Sequence, residues 1–212
     1  MPAVIAGPRL RGRLHQLAAL ASFGGIAWLL SDARTLAGVV AAWVYGIAMI
    51  ALYATSSTYH IYARSPRARQ IMKRLDHSMI YVLIAGTYTP VCLLALHGAE
   101  RWALLGVVWT GALVGIGVTT VAHDRYRTLC SALYLVLGWA ALAVVPTLAR
   151  RPDLLAVAAL GGAVYTVGAL LFALHWPRRV ARWFGYHEFW HVCSIAGGVA
   201  FFIVNLRRIA GA

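Results

Sequence analysis

The chain has 212 residues, of which 61% are hydrophobic and only 12% are charged, whereas soluble domains carry roughly 45–50% apolar and about 25% charged residues. This composition excludes an ordinary soluble domain and predicts an integral membrane protein. The net charge of +13 does not indicate nucleic acid as a partner, because the basic residues form short clusters between apolar runs, as is typical of loops that lie against the headgroups of membrane lipids.

Seven apolar runs follow one another along the chain and predict seven transmembrane helices. A hydrocarbon core about 30 Å thick is crossed by about 20 helical residues, and a helix satisfies its own backbone hydrogen bonds inside the bilayer. We therefore expect an all-α protein whose residues 1–212 form a single membrane domain. The runs cover residues 14–30, 36–61, 76–96, 102–122, 129–149, 154–175 and 186–206.

The first and third spans have polar segments before them. Arg9, Arg11 and Arg13 precede the first run, as basic residues also do in a secretory signal peptide. No convincing small-residue cleavage site follows Leu30, so we expect an uncleaved first span. Residues 64–74 contain five basic residues and form the longest polar interruption in the chain.

Basic residues are divided unequally between the two sides of the predicted bundle. One side carries 13 of them and the other side carries 6. Because basic loops are enriched on the cytoplasmic side, the N-terminus is expected in the cytoplasm and the C-terminus outside. The 13 are Arg9, Arg11, Arg13, Arg64, Arg67, Arg69, Lys73, Arg74, Arg125, Arg127, Arg178, Arg179 and Arg182, and the 6 are Arg34, Arg101, Arg150, Arg151, Arg207 and Arg208.

Two acidic residues lie where an ionisable group is costly. Asp76 and Glu188 occur at the predicted starts of spans three and seven, and a carboxylate inside a span is a functional candidate by default. A helix N-cap or a first-turn acid is the alternative explanation for Asp76. The other acids are expected in solvated connecting loops, and they are Asp32, Glu100, Asp124 and Asp153.

Span seven begins with the sequence HEFWH at residues 187–191. Its two histidines are four residues apart and so share one face of a helix. The segment also matches HExxH, in which two histidines bind zinc and the glutamate is the general base, and interfacial histidines are a further explanation. By the predicted topology, His60, His187, His191 and Asp76 all lie at similar depth on the cytoplasmic side. Three histidines with a fourth position left open form the ligand set of a catalytic zinc.

The remaining histidines, the cysteines and two residues of span three are given structural roles. The histidines at predicted span ends are expected to be interfacial, and they are His15, His97, His123 and His175. The cysteines form no CxxC motif and are expected to be buried and reduced, and they are Cys92, Cys130 and Cys193. Gly86 and Pro90 are expected to allow close packing and a kink.

Three motifs in the same order resemble the hemolysin III family, the bacterial branch of the progestin and adipoQ receptor superfamily and a more distant relative of the alkaline ceramidases. The motifs are SSTYH at residues 56–60, LDHSMIY at 75–81 leading into AGTYTP at 85–90, and HEFWH at 187–191. The resemblance covers essentially the whole chain in length, number of spans and order of motifs.

The resemblance implies a seven-helix bundle in the bacterial inner membrane, with a cytoplasmic N-terminus. It implies that Zn²⁺ is held by His60, His187 and His191 and that Asp76 faces the water of that site. Ser56, one turn before His60, is then a supporting partner of the site.

The leading hypothesis from this resemblance is a zinc-dependent hydrolase of a lipid amide or ester, with Asp76 as the general base. Receptor-branch relatives carry Gln at the position of Glu188, which argues against Glu188 as the base. Two alternatives stay open. One is a non-enzymatic hemolysin-like cytolysin or membrane-state sensor with structural zinc, and the other is an intramembrane metalloprotease, which only the HExxH pattern favours.

Overall fold

The computed structural model describes residues 10–122, 125, 127–178 and 183–212. The sequence-based predictions also used some residues outside this part of the chain, namely Arg9, His123, Asp124, Arg179 and Arg182, and the side chain of Arg127.

The described residues form helices and no strands, and seven helical segments are long and apolar enough to cross a membrane. The predicted all-α class and the number of spans are therefore confirmed. A 3₁₀ turn, Ala140–Val144, joins α5 to α6, and these three elements together make the fifth span, so that α7 is the sixth and α8 the seventh. The helices are α1 (Arg13–Asp32), α2 (Leu36–Tyr62), α3 (Pro66–Ala95), α4 (Gly98–Ala122), α5 (Arg127–Trp139), α6 (Val145–Leu148), α7 (Pro152–Ala173) and α8 (Tyr186–Ala210).

Helix α3 begins ten residues before Asp76. Ser65 is its N-cap and accepts a hydrogen bond from the Ala68 backbone N–H at 3.1 Å, and Pro66 follows in the first turn, a combination that favours helix initiation. The predicted start of span three, at residue 76, is therefore ten residues too late as the start of the helix, and most of the polar segment 64–74 is helical. The explanation of Asp76 as an N-cap or first-turn acid is also wrong, because the helix dipole acts within about one turn of the terminus.

Other residues near the predicted span ends can be compared with the structure. Asp32 ends α1, and Glu100 and Asp153 lie in the first turns of α4 and α7, so the prediction that these acids lie in loops is wrong by up to one turn. His97 and His175 are exposed and lie outside the helices, as expected for span ends. The three cysteines are free and buried, which confirms their predicted state.

Small residues allow the helices of the bundle to approach closely. A Cβ atom at Gly86 of α3 would lie 2.6 Å from the Ala48 Cβ atom of α2, and one at Gly46 of α2 would lie 2.8 Å from the Ile26 Cβ atom of α1. Such close approach stabilises helix packing in membranes through van der Waals contact. The predicted packing role of Gly86 is confirmed.

Helix α8 packs against α7 and also contacts α1, α2 and α3. These contacts place the first turns of α8, which carry the HEFWH segment, between helices that are distant in sequence. The candidate functional side chains lie at this end of the bundle.

Candidate metal centre

Three histidines meet where the last turn of α2 faces the first turns of α8. Candidate ligand atoms of His60, His187 and His191 all lie within 4.8 Å of one another. The Nε2 atoms of His60 and His187 are 3.1 Å apart, and the ring centroid of His191 lies 5.1 Å from that of His60 and 4.8 Å from that of His187. The structure therefore brings together the three histidines that were predicted to lie at one depth.

The chemistry of this cluster fits a metal ion such as zinc. Two ring nitrogens face each other at 3.1 Å, and neutral imidazole nitrogens are preferred ligands of zinc. His191 is 2% exposed and has a buried Nδ1 atom without a hydrogen-bond partner, whereas His60 and His187 are only partly buried. Within the described residues, this is the one group of three or more histidine, cysteine or acidic side chains with metal-ligand proximity.

Asp76 of α3 and Ser56 of α2 form a polar pair. The Ser56 side chain is a hydrogen-bonding partner of the Asp76 carboxyl group, and it lies on α2 one turn before His60. Ser56 is 3% exposed, and the Asp76 side chain is 14% exposed. Asp76 is not itself a member of the three-histidine group. Through Ser56, the carboxylate therefore contacts the part of α2 that also carries His60.

His77 was not singled out from the sequence, although it follows Asp76 directly. Its Nδ1 atom lies 3.9 Å from Asp76 Oδ2 and 2.8 Å from the carbonyl oxygen of Lys73. His77 therefore adds a second polar side chain beside the Asp76 carboxylate.

His15 lies against the candidate ligands and not at a lipid interface, so its predicted interfacial position is wrong. It is 3% exposed, and its ring stacks on that of His191 with centroids 3.9 Å apart. Its Nε2 atom lies 2.8 Å from Ser194 Oγ, and the Ser194 hydroxyl donates to the His191 carbonyl oxygen at 2.9 Å. Because that hydroxyl has a single proton, His15 must donate through Nε2. No sequence pattern indicated this contact, since α1 and α8 lie at opposite ends of the chain.

Glu188 is also engaged by the N-terminal part of the chain. Its side chain is fully buried, and its Oε1 atom accepts a hydrogen bond from Arg11 Nε at 2.9 Å. The sequence indicates that Glu188 is a costly intramembrane acid, but no pattern in it indicates Arg11 as its partner. The ion pair supplies the partner that a buried carboxylate requires.

Comparison with known proteins agrees with this architecture. A family model described as Haemolysin-III related matches residues 4–202. The chain belongs to this family. It is 32% identical over 201 residues to Hemolysin-3 of Bacillus cereus, which covers 91% of this chain and 87% of that protein. It is also 32% identical over 197 residues to a Hemolysin-3 homolog of Bacillus subtilis (strain 168), which covers 91% of this chain and 89% of the relative.

A more distant similarity extends beyond bacteria. The monocyte to macrophage differentiation factor of Homo sapiens is 27% identical over 137 residues, which is 63% of this chain and 57% of that protein. The predicted membership of the hemolysin III family and of its wider superfamily is confirmed. As a haemolysin-III-related protein with seven apolar helices, the chain is a multi-pass membrane protein.

Proposed function

We propose that this haemolysin-III-related protein is a zinc-dependent hydrolase that cleaves a lipid amide or ester at the cytoplasmic side of the membrane. The observation that carries the proposal is the convergence of His60, His187 and His191 within 4.8 Å. Asp76 on α3 contacts Ser56, which lies one turn before His60. Three histidines leave one coordination position for water or substrate, as in catalytic zinc sites.

In this proposal His60, His187 and His191 hold the metal. When bound, zinc supplies a Lewis acid that polarises the lipid carbonyl and makes water a stronger acid. Asp76 accepts a proton from water while the water oxygen attacks the carbonyl carbon. Asp76 then gives the proton to the leaving nitrogen or oxygen as its bond to that carbon breaks, which releases a fatty acid and an amine or alcohol. The Ser56 hydroxyl orients the Asp76 carboxylate.

The surroundings of the acids support the choice of Asp76 as the base. The Asp76 side chain retains 14% exposure and, among the described residues, has no basic side chain bound to its carboxylate at salt-bridge distance other than His77 at 3.9 Å. The Glu188 side chain has no exposure, and Arg11 binds its carboxylate. A protease of the HExxH type uses its glutamate as the base, and the ion pair of Glu188 does not favour that role.

An aromatic side chain in contact with His187 supports a lipid as the substrate class. The Phe172 ring contacts the His187 ring with centroids 5.3 Å apart. An open cavity of about 370 Å³ lies at the surface where α7 ends, and its lining includes the residues one before and two after Phe172 in sequence. The cavity is lined by Leu171, Leu174, His175, Trp176 and Arg178.

Replacement of Asp76 by Asn tests the proposal. Asp76→Asn keeps the shape of the side chain but removes proton acceptance, so turnover should fall by on the order of 10²–10⁴ while bound zinc is retained. The assay is release of fatty acid from a panel of acyl lipids by purified protein, with zinc content measured in parallel. Asp153→Asn is the matched control, because the Asp153 side chain is 61% exposed and lies far in sequence from Asp76 and from the three histidines. The hydrolase proposal is refuted if zinc-loaded wild-type protein cleaves none of the lipids.

A cytolysin or membrane-state sensor with structural zinc is the second candidate, favoured by the name Hemolysin-3 of the two Bacillus relatives. In that case zinc would link α2 to α8, and the free energy of zinc binding would contribute to the stability of the folded protein. His187→Ala would then lower thermal stability, whereas Asp76→Asn would leave the cellular phenotype unchanged.

A further inference from the structure

The segment from Arg11 to His15 contacts the candidate metal centre at three places. We infer that Arg11 is a positioning residue, which fixes the first turn of α8 through Glu188 and thereby places His187 and His191 for metal binding. This inference rests on the zinc site of the proposed function, but it does not depend on hydrolysis.

The position of Glu188 within α8 links the ion pair to both ligands. Glu188 follows His187 directly and precedes His191 by three residues. A movement of its backbone that broke the 2.9 Å contact with Arg11 would therefore move the turn that carries both imidazoles. The constraint acts on the ligands through the helix backbone.

The N-cap residue of α8 has no side chain that could fix the helix N-terminus. Its N-cap residue is Gly185, which makes no capping hydrogen bond. A glutamate at the third helical position often turns back toward the N-cap N–H in a capping box. Here the Glu188 side chain bonds to Arg11. The first turn of α8 is thus held by a side chain that comes from before α1.

The two side chains of the Arg11–Glu188 ion pair are buried to different extents. Glu188 has no side-chain exposure, and its Oε2 atom is buried without a hydrogen-bond partner among the described residues. Arg11 is 34% exposed. Loss of Arg11 would leave a carboxylate buried and unpaired, which is strongly unfavourable, whereas loss of the Glu188 charge would leave a guanidinium that water can reach. The two single substitutions should therefore have unequal effects.

The backbone next to Arg11 lies against the third candidate ligand. Gly12 has φ +80°, in the left-handed region that glycine adopts readily. A Cβ atom at this position would lie 2.7 Å from the Cβ atom of His60. His15, one turn further on, stacks on His191 with ring centroids 3.9 Å apart. One short segment therefore contacts both His60 on α2 and His191 on α8. These contacts on either side fix the position of the Arg11 backbone relative to the metal centre.

The test compares Arg11→Gln with Glu188→Gln and with Arg13→Gln. Arg13 is the matched control, because its side chain is exposed and bonds to Gln16 at 2.8 Å, away from the centre. Three quantities are measured for each purified protein: zinc affinity by competition with a chelator, the visible absorption spectrum of the Co²⁺ form, and the thermal stability of the metal-free form. The Co²⁺ spectrum reports ligand geometry, which a loss of stability alone does not change.

Arg11→Gln is expected to weaken zinc binding about 10–100-fold, the usual effect of removing a residue that orients metal ligands, and to change the Co²⁺ spectrum. Glu188→Gln should stay within a few-fold of wild type, because its amide oxygen still accepts a hydrogen bond from Arg11. Arg13→Gln should match wild type in affinity and spectrum. Arg11→Gln with the affinity and spectrum of Arg13→Gln overturns the inference.

Arg11→Lys keeps the inference testable if Arg11→Gln does not fold. Lysine retains the positive charge beside Glu188 but lacks the Nε–H group that makes the observed contact. Weaker zinc binding with unchanged metal-free stability supports positioning by Arg11. Unchanged affinity and spectrum mean that Arg11 only neutralises a charge, and they overturn the inference. Absence of zinc from wild-type protein refutes the metal centre and the inference together, whereas zinc binding without lipid cleavage refutes hydrolysis alone.

Discussion

Replacement of His15 by Ala should destabilise the bundle even when no metal is bound. The imidazole is 3% exposed, stacks on His191 at 3.9 Å and bonds to Ser194 at 2.8 Å. The ring contact contributes about 0.5–1.5 kcal/mol and the hydrogen bond about 0.5–1.5 kcal/mol. The vacated volume adds a further cost, because neighbouring side chains relax only in part. We expect the free energy of unfolding to fall by about 2–3 kcal/mol.

The measurement is equilibrium unfolding of detergent-solubilised protein in the presence of a chelator, so that ligation does not contribute to stability. His97→Ala is the matched control: it removes the same side chain at an exposed position outside the helices, where substitutions usually change stability by less than about 0.5 kcal/mol. The packing argument is refuted if His15→Ala lowers the free energy of unfolding by no more than His97→Ala does.

Two further predictions concern topology and packing. An N-terminal reporter should be found in the cytoplasm and a C-terminal reporter outside, because basic residues divide 13 to 6; reporters on the same side in a protease-protection assay would contradict this. Gly86→Ala should lower the free energy of unfolding by about 1–3 kcal/mol, because its new Cβ atom would lie 2.6 Å from the Ala48 Cβ atom. Gly106→Ala, which meets nothing within 4 Å, should leave stability unchanged or raise it by up to about 1 kcal/mol in the same unfolding assay. An equal loss from both variants would show that helix packing is not the cause.

Hydropathy predicted the spans well but misplaced the start of α3. Apolar runs report which residues suit the membrane interior, and residues 64–74 are too basic for that. The helix nevertheless begins at Pro66, because Ser65 caps it and the following residues tolerate helical structure in water as well as in lipid. Depth in the membrane and helical conformation are separate properties. For this reason Asp76, which lies at the start of the apolar run, is ten residues from the start of the helix.

The candidate ligands could be predicted because their spacing and position in the spans are visible in the sequence. His187 and His191 share a helix face by their four-residue separation, and His60 comes to the same depth through the alternation of spans. The contacts of Arg11 and His15 could not be predicted in this way. They depend on α1 packing against α8, and the hydrophobic pattern of a span does not specify which other helix it contacts.

Metal analysis of purified protein tests the three-histidine centre most directly. Wild-type protein is expected to hold about one zinc per chain, since three imidazoles form one site. His60→Ala, His187→Ala and His191→Ala should each lose most of the metal, whereas His97→Ala should retain it. A wild-type protein that takes up no zinc on reconstitution, or equal loss of zinc from His97→Ala, would contradict the assignment of these three histidines as ligands.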